Sequence, residues 1–110
     1  MAQLGDVMRQ MYINGQWVEA KSGKTFPVIN PATGETRTTV PDSGVEDVRS
    51  AIQAAQAAFK TWSRVSPIER SRFLEKAFKL TTERRDELGK LITLENGKPL
   101  EEAKREVGFG

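Results

Sequence analysis

From Val45 onward apolar residues recur at steps of three and four, whereas before Pro41 they come in short runs broken by turn residues. The first pattern is that of helices packed along one side and the second that of strands, so the chain divides into a β-region followed by an α-region. Val45, Val48, Ile52, Ala55, Phe59 and Trp62 fall on a single helical stripe. Ser43 and Glu46 stand at capping-box spacing before it, which predicts where this helix begins. Ala51, Ala54, Ala57 and Ala58 raise helix propensity and leave room for another element to approach closely.

Three further helices follow. Ser66-Pro67-Ile68-Glu69 combines a serine cap, proline at the first helical position and glutamate at the third, ahead of Ile68, Phe73, Leu74, Ala77, Phe78 and Leu80. Thr82 is placed to cap a third helix with the face Leu88, Leu91 and Ile92, which ends at Asn96-Gly97, where a left-handed residue closes the last turn. Pro99 opens a fourth, with Glu101 and Glu102 near its positive end and Lys104 and Arg105 beyond. This helix has no firm stop signal: Gly108-Phe109-Gly110 reads equally as a C-terminal cap or as an arbitrary end to a longer chain.

In the β-region, Asn14-Gly15 between Tyr12-Ile13 and Trp17-Val18 predicts a hairpin over about 11–20 with a type I′ turn. Thr25 to Ile29 reads as an edge strand because Pro27 cannot donate to a ladder, and Asn30-Pro31-Ala32-Thr33-Gly34-Glu35 reads as a turn leading into the β-branched strand Thr36 to Val40. The expected architecture is an α+β segment: a hairpin and extended strands over about 11–40, then helices over about 44–62, 67–81, 83–95 and 99–108. Residues 1–10 show no periodicity and are expected to form a flexible leader.

Composition narrows the chemistry. The chain has 110 residues, no cysteine and no histidine, so it contains no thiolate nucleophile, no disulfide and none of the commonest zinc ligands or general bases. Its net charge of +2 is spread among interspersed acids and bases, unlike the clustered basic face expected of a nucleic-acid binder. No segment reaches the roughly 20 apolar residues needed to cross a bilayer, and a cytoplasmic location is expected. Most carboxylates have a local use in a cap, a helix dipole or an i,i+4 pair. Glu95, beside the Asn96-Gly97-Lys98-Pro99 turn, is the most unusual. Gly97-Lys98 lacks the rest of a phosphate loop, and Gly108-x-Gly110 is too short for a dinucleotide fingerprint. Trp17 and Trp62 are expected to anchor a core or an interface. From the residues alone this is an α+β segment without its own active site.

The ordered set Tyr12-Ile13-Asn14-Gly15-Gln16-Trp17, Asn30-Pro31-Ala32-Thr33-Gly34-Glu35, Val40-Pro41, Ala54-Ala55-Gln56-Ala57-Ala58-Phe59-x-x-Trp62, Glu69-Arg70, Leu94-Glu95-Asn96-Gly97-Lys98-Pro99-Leu100 and Glu102-Ala103 resembles the amino-terminal segment of NAD(P)-dependent aldehyde dehydrogenases. Thr93-Leu94-Glu95 and Lys98-Pro99-Leu100-Glu101-Glu102-Ala103-Lys104 look most like the succinate-semialdehyde dehydrogenase branch. The resemblance implies that residues 11–110 are an incomplete part of the cofactor-binding domain of an α/β enzyme. It also implies that the partners are the remainder of that chain and its homo-oligomer, with no nucleic acid or membrane involved. The family oxidises an aldehyde through a cysteine thiohemiacetal, passing hydride to NAD or NADP. Its cysteine, glutamate and cofactor loops lie further along the family's chain, which implies that this segment alone binds no cofactor and is inactive. Some members hold a structural monovalent cation at positions matching Val28, Ile29 and Glu95, the first two through backbone carbonyls and the last through its carboxylate. Two other readings stay open at this level: a standalone module that binds an aldehyde dehydrogenase subunit, and a small nucleic-acid-binding protein.

Overall fold

The structure, a computed structural model, describes residues 9–109, so most of the expected leader, residues 1–8, lies outside the described residues. Four strands precede four helices: β1 (Met11–Ile13), β2 (Gln16–Val18), β3 (Thr25–Ile29), β4 (Thr36–Pro41), α1 (Val45–Trp62), α2 (Pro67–Glu83), α3 (Arg85–Asn96) and α4 (Leu100–Val107). The strands form two separate two-stranded ribbons, β1–β2 and β3–β4. The described residues group into two compact units, one holding 9–28 and 38–65, the other 29–37 and 66–109.

In the first unit, Asn14 (φ 52°) and Gly15 (φ 76°) both take positive φ, giving β1 and β2 the antiparallel register Met11 to Val18, Tyr12 to Trp17 and Ile13 to Gln16. The Tyr12 and Trp17 rings meet across it at 4.9 Å. The alanine side of α1 accounts for part of the expected close approach: Ala51, Ala54, Ala55 and Ala58 face Tyr12–Gly15 across an open groove. The stripe of Val45, Val48, Ile52, Phe59 and Trp62 is exposed, Phe59 by 66%.

The start of α1 differs from the expected box. The cap is Gly44, one residue later than Ser43, and Asp47 rather than Glu46 reaches back, its Oδ2 accepting the Gly44 N–H at 2.9 Å. Glycine has no side chain to return the bond, so only this arm exists. Asp47 is favoured because its other oxygen accepts the Lys21 N–H at 3.1 Å, tying the end of the first hairpin to the helix start. These two amides, Gly44 first, hold the Asp47 carboxyl below the usual aspartate range against the opposing effect of burial.

In the second unit, α2 begins as expected. Ser66 Oγ accepts the Glu69 N–H at 3.2 Å, and Glu69 Oε2 accepts from the Ser66 N–H at 3.3 Å. Thr82 does not cap α3: it lies inside α2, where its hydroxyl donates to the Phe78 carbonyl at 2.8 Å. Arg84 occupies the cap position instead, and its guanidinium donates to both oxygens of Glu87 at 3.0 and 2.9 Å. Helices α3 and α4 pack through small residues. Gly89 is buried and Ala103 is 0% exposed, and a Cβ on Gly89 would stand 3.2 Å from the Lys104 backbone nitrogen. Lys104 fastens this contact twice, its carbonyl accepting from Arg85 Nε at 2.9 Å and its ammonium pairing with Asp86 at 3.2 Å.

Candidate functional site

The two turns singled out by sequence, Asn30–Glu35 and Glu95–Pro99, come together within the second unit. In the first turn, Asn30 Oδ1 accepts the Ala32 N–H at 3.0 Å, its carbonyl accepts the Gly34 N–H at 2.8 Å, and its own N–H donates to the Glu35 carbonyl at 2.9 Å. Asparagine suits this place because its short amide closes a turn locally while Pro31 keeps the backbone out of the helical region. In the second turn, Gly97 takes φ 81° and donates to the Thr93 carbonyl at 2.9 Å, closing α3. Glycine is required there on two grounds: the positive φ, and Pro31, whose Cγ would lie 2.9 Å from any added Cβ.

An ion pair ties the start of β4, just beyond the first turn, to the second turn. Arg37 Nη1 donates to Glu95 Oε1 at 2.9 Å, with the Arg37 side chain 15% exposed and that of Glu95 39%. A neighbouring groove is lined by Ile92, Glu95, Asn96, Lys98 and Glu106, and the ammonium of Lys98 is paired with Glu106 across it. Thr93 Oγ1, in the last turn of α3, is buried without a hydrogen-bond partner among the described residues.

Of the three residues expected to hold a cation, Ile29 and Glu95 belong to this unit and Val28 to the other. Val28 and Ile29 are consecutive in β3, half-buried and exposed respectively. Among the described residues, no group of three or more Asp or Glu side chains is placed to hold a metal ion. Sequence reasoning missed Arg37 as the partner of Glu95. The two are 58 positions apart, and only the hairpin's return brings them together.

The junction from β4 into α1 does not fit a phosphate site. Its leading amide, Gly44 N–H, is already taken by Asp47, and Glu46 and Asp47 place two carboxylates in the first turn, where an anion would have to approach. No described helix is long and apolar enough to cross a membrane.

Residues 17–110 match the sequence profile of the aldehyde dehydrogenase family. The chain is 52% identical over 101 residues to malonate-semialdehyde dehydrogenase 1 of Oceanobacillus iheyensis, covering 92% of this chain and 21% of that protein. It is 46% identical to succinate-semialdehyde dehydrogenase [NADP(+)] 2 of Schizosaccharomyces pombe, covering 89% of this chain and 20% of that one. Among solved structures, succinate-semialdehyde dehydrogenase from Burkholderia pseudomallei superposes with a TM-score of 0.89 at 44% identity, over 92% of this chain and 21% of that chain. The four helices and short antiparallel strands match the amino-terminal part of that fold. The chain thus spans about a fifth of the length of the relatives it matches.

Proposed function

The chain belongs to the aldehyde dehydrogenase family, and on that premise we propose that it is the amino-terminal segment of an NAD(P)-dependent semialdehyde dehydrogenase, inactive on its own. In this reading it forms part of the cofactor-binding domain, and the substrate of the longer enzyme is a short aldehyde that also carries a carboxylate. The names of relatives at similar identity, malonate-, glutarate- and succinate-semialdehyde dehydrogenases, support that class. NAD or NADP binds the longer protein, and the reaction runs in the cytoplasm. The contribution of this segment is structural: it presents the exposed faces of α1 and α2 to the remainder of the domain and to its oligomer.

One observation carries the reading. A segment that covers a fifth of its relatives contains no cysteine, yet holds its fold through caps and turns while large apolar side chains on α1 and α2 stay exposed. Contiguous exposed apolar surface of this kind marks a face made to be covered. The same observation favours a second reading, a separate module that binds an intact aldehyde dehydrogenase subunit. Incubating the purified chain with malonate or succinate semialdehyde and either NAD+ or NADP+ should give no NAD(P)H above background. Robust aldehyde-dependent turnover would overturn the claim of inactivity. Co-migration with an intact relative such as the Burkholderia enzyme would favour the module reading over the segment reading.

A further inference from the structure

The family likeness implies a monovalent cation at Glu95, but the residues present do not fit one. The carboxylate already has a cation, the guanidinium of Arg37 at 2.9 Å, in a charge-assisted hydrogen bond. We propose that in this chain Arg37 takes the place of the metal ion at Glu95, so that the junction between the Asn30–Glu35 turn and the end of α3 is held by a permanent internal cation.

Three features support the substitution. First, the Arg37 side chain is largely buried, so a metal ion bound by Glu95 would put a second positive charge beside a desolvated guanidinium, which is strongly unfavourable. Second, among the described residues the groove beside Glu95 carries no surplus negative charge to attract an ion: Glu95 is matched by Arg37, and Glu106 by Lys98. Third, the guanidinium is covalently part of the chain and needs no ion from solution, so it gives constantly what a weakly bound ion gives only when present. The geometry is also mechanically suited to the task. Arg37 is the second residue of β4 and Glu95 the penultimate residue of α3, so their bond fastens the hairpin to the same helix end that Gly97 closes against Pro31.

The test is a sodium titration of the 110-residue chain read by the sodium NMR linewidth, with circular dichroism to confirm helix content. The wild type should match Glu95→Gln, because neither offers a free carboxylate at this position. Arg37→Gln should broaden the line at least twofold over both, and Arg37→Lys, which keeps a cation in place, should not. A wild-type linewidth above that of Glu95→Gln would overturn the proposal, since an ion would then sit at Glu95 together with Arg37. Equal linewidths for wild type, Glu95→Gln and a folded Arg37→Gln would overturn it as well, because Arg37 would not be what keeps the ion out. If Arg37→Gln loses its helix signal, the comparison of wild type with Glu95→Gln decides: equality supports the proposal and an excess refutes it.

Discussion

In the α3–α4 pair, Gly89 and Ala103 are buried against each other's helices and Lys104 is held by both its carbonyl and its ammonium, whereas α2, 17 residues long, buries none of its residues. Both regions are well-formed helix, so the difference lies in what maintains them. The pair is held by packing and by contacts between elements. Helix α2 is held by its own ends: a complete capping box, proline at the first position, and hydroxyls of Ser71 and Thr82 bonded to the preceding turn. Its Ile68, Leu74 and Phe78 are largely exposed in this chain, and in the proposed reading they serve a longer one.

Substitutions that separate the two kinds of helix test this contrast. The largest effect is expected for Leu74→Ala, which is 72% exposed here. In the 110-residue chain it should change stability by less than about 0.5 kcal/mol. In a chimera where this chain replaces the matching fifth of the Burkholderia enzyme, the same change should cost about 2–5 kcal/mol, as for a buried leucine. Parallel denaturation of the two pairs of proteins checks this, and equal small effects in both would show that α2 is not covered.

Next comes Gly89→Val, where any Cβ meets the Lys104 backbone. Overpacking should cost about 2–3 kcal/mol. Amide exchange in α3 and α4 should then quicken by roughly 30- to 150-fold, with α2 unaffected. Ser66→Ala should cost about 1 kcal/mol and act on α2 alone, seen as fraying of its first turn by circular dichroism and amide exchange.

The smallest effect concerns pH. The Asp47 carboxyl titrates below its ordinary value because its charged form accepts the Gly44 and Lys21 amides. A depressed folded-state value means that its contribution is fully present above about pH 4, the unfolded aspartate range, and is lost as pH falls through the lower folded value. The amides of Gly44 and Lys21 should therefore lose protection only in acid, and Asp47→Asn should remove that acid step.

How far the sequence could be read depended on the range of each interaction. Helix existence and the hairpin turn were legible because their determinants are local: Ser66-Pro67 with Glu69, Asn14-Gly15, and Gly97 with its positive φ. The start of α1 was misplaced by one residue because two overlapping patterns compete there, and the contact that decides between them comes from Lys21, 26 positions away. Thr82 reads as a cap because threonine favours that role, but the i−4 carbonyl of Phe78 accepts its hydroxyl inside α2. For the candidate site, Glu95 and the two turns stood out by composition, while Arg37 did not: an arginine in an alternating strand carries no sign of the carboxylate it will meet 58 residues later. Periodicity marks the α1 stripe as apolar without saying what covers it, and it is the resemblance to a longer family that makes the observed exposure of Val45, Val48, Ile52 and Phe59 expected.

In the proposed reading the bare faces of α1 and α2 are completed by the rest of an aldehyde dehydrogenase. This is tested most directly by amide hydrogen exchange on this chain, alone and mixed with the Burkholderia enzyme lacking its matching amino-terminal fifth. Helices α1 and α2 should exchange faster than α3 and α4 in the chain alone and gain at least tenfold protection in the mixture. Slow exchange of α1 and α2 in the isolated chain, unchanged by the added protein, would contradict it.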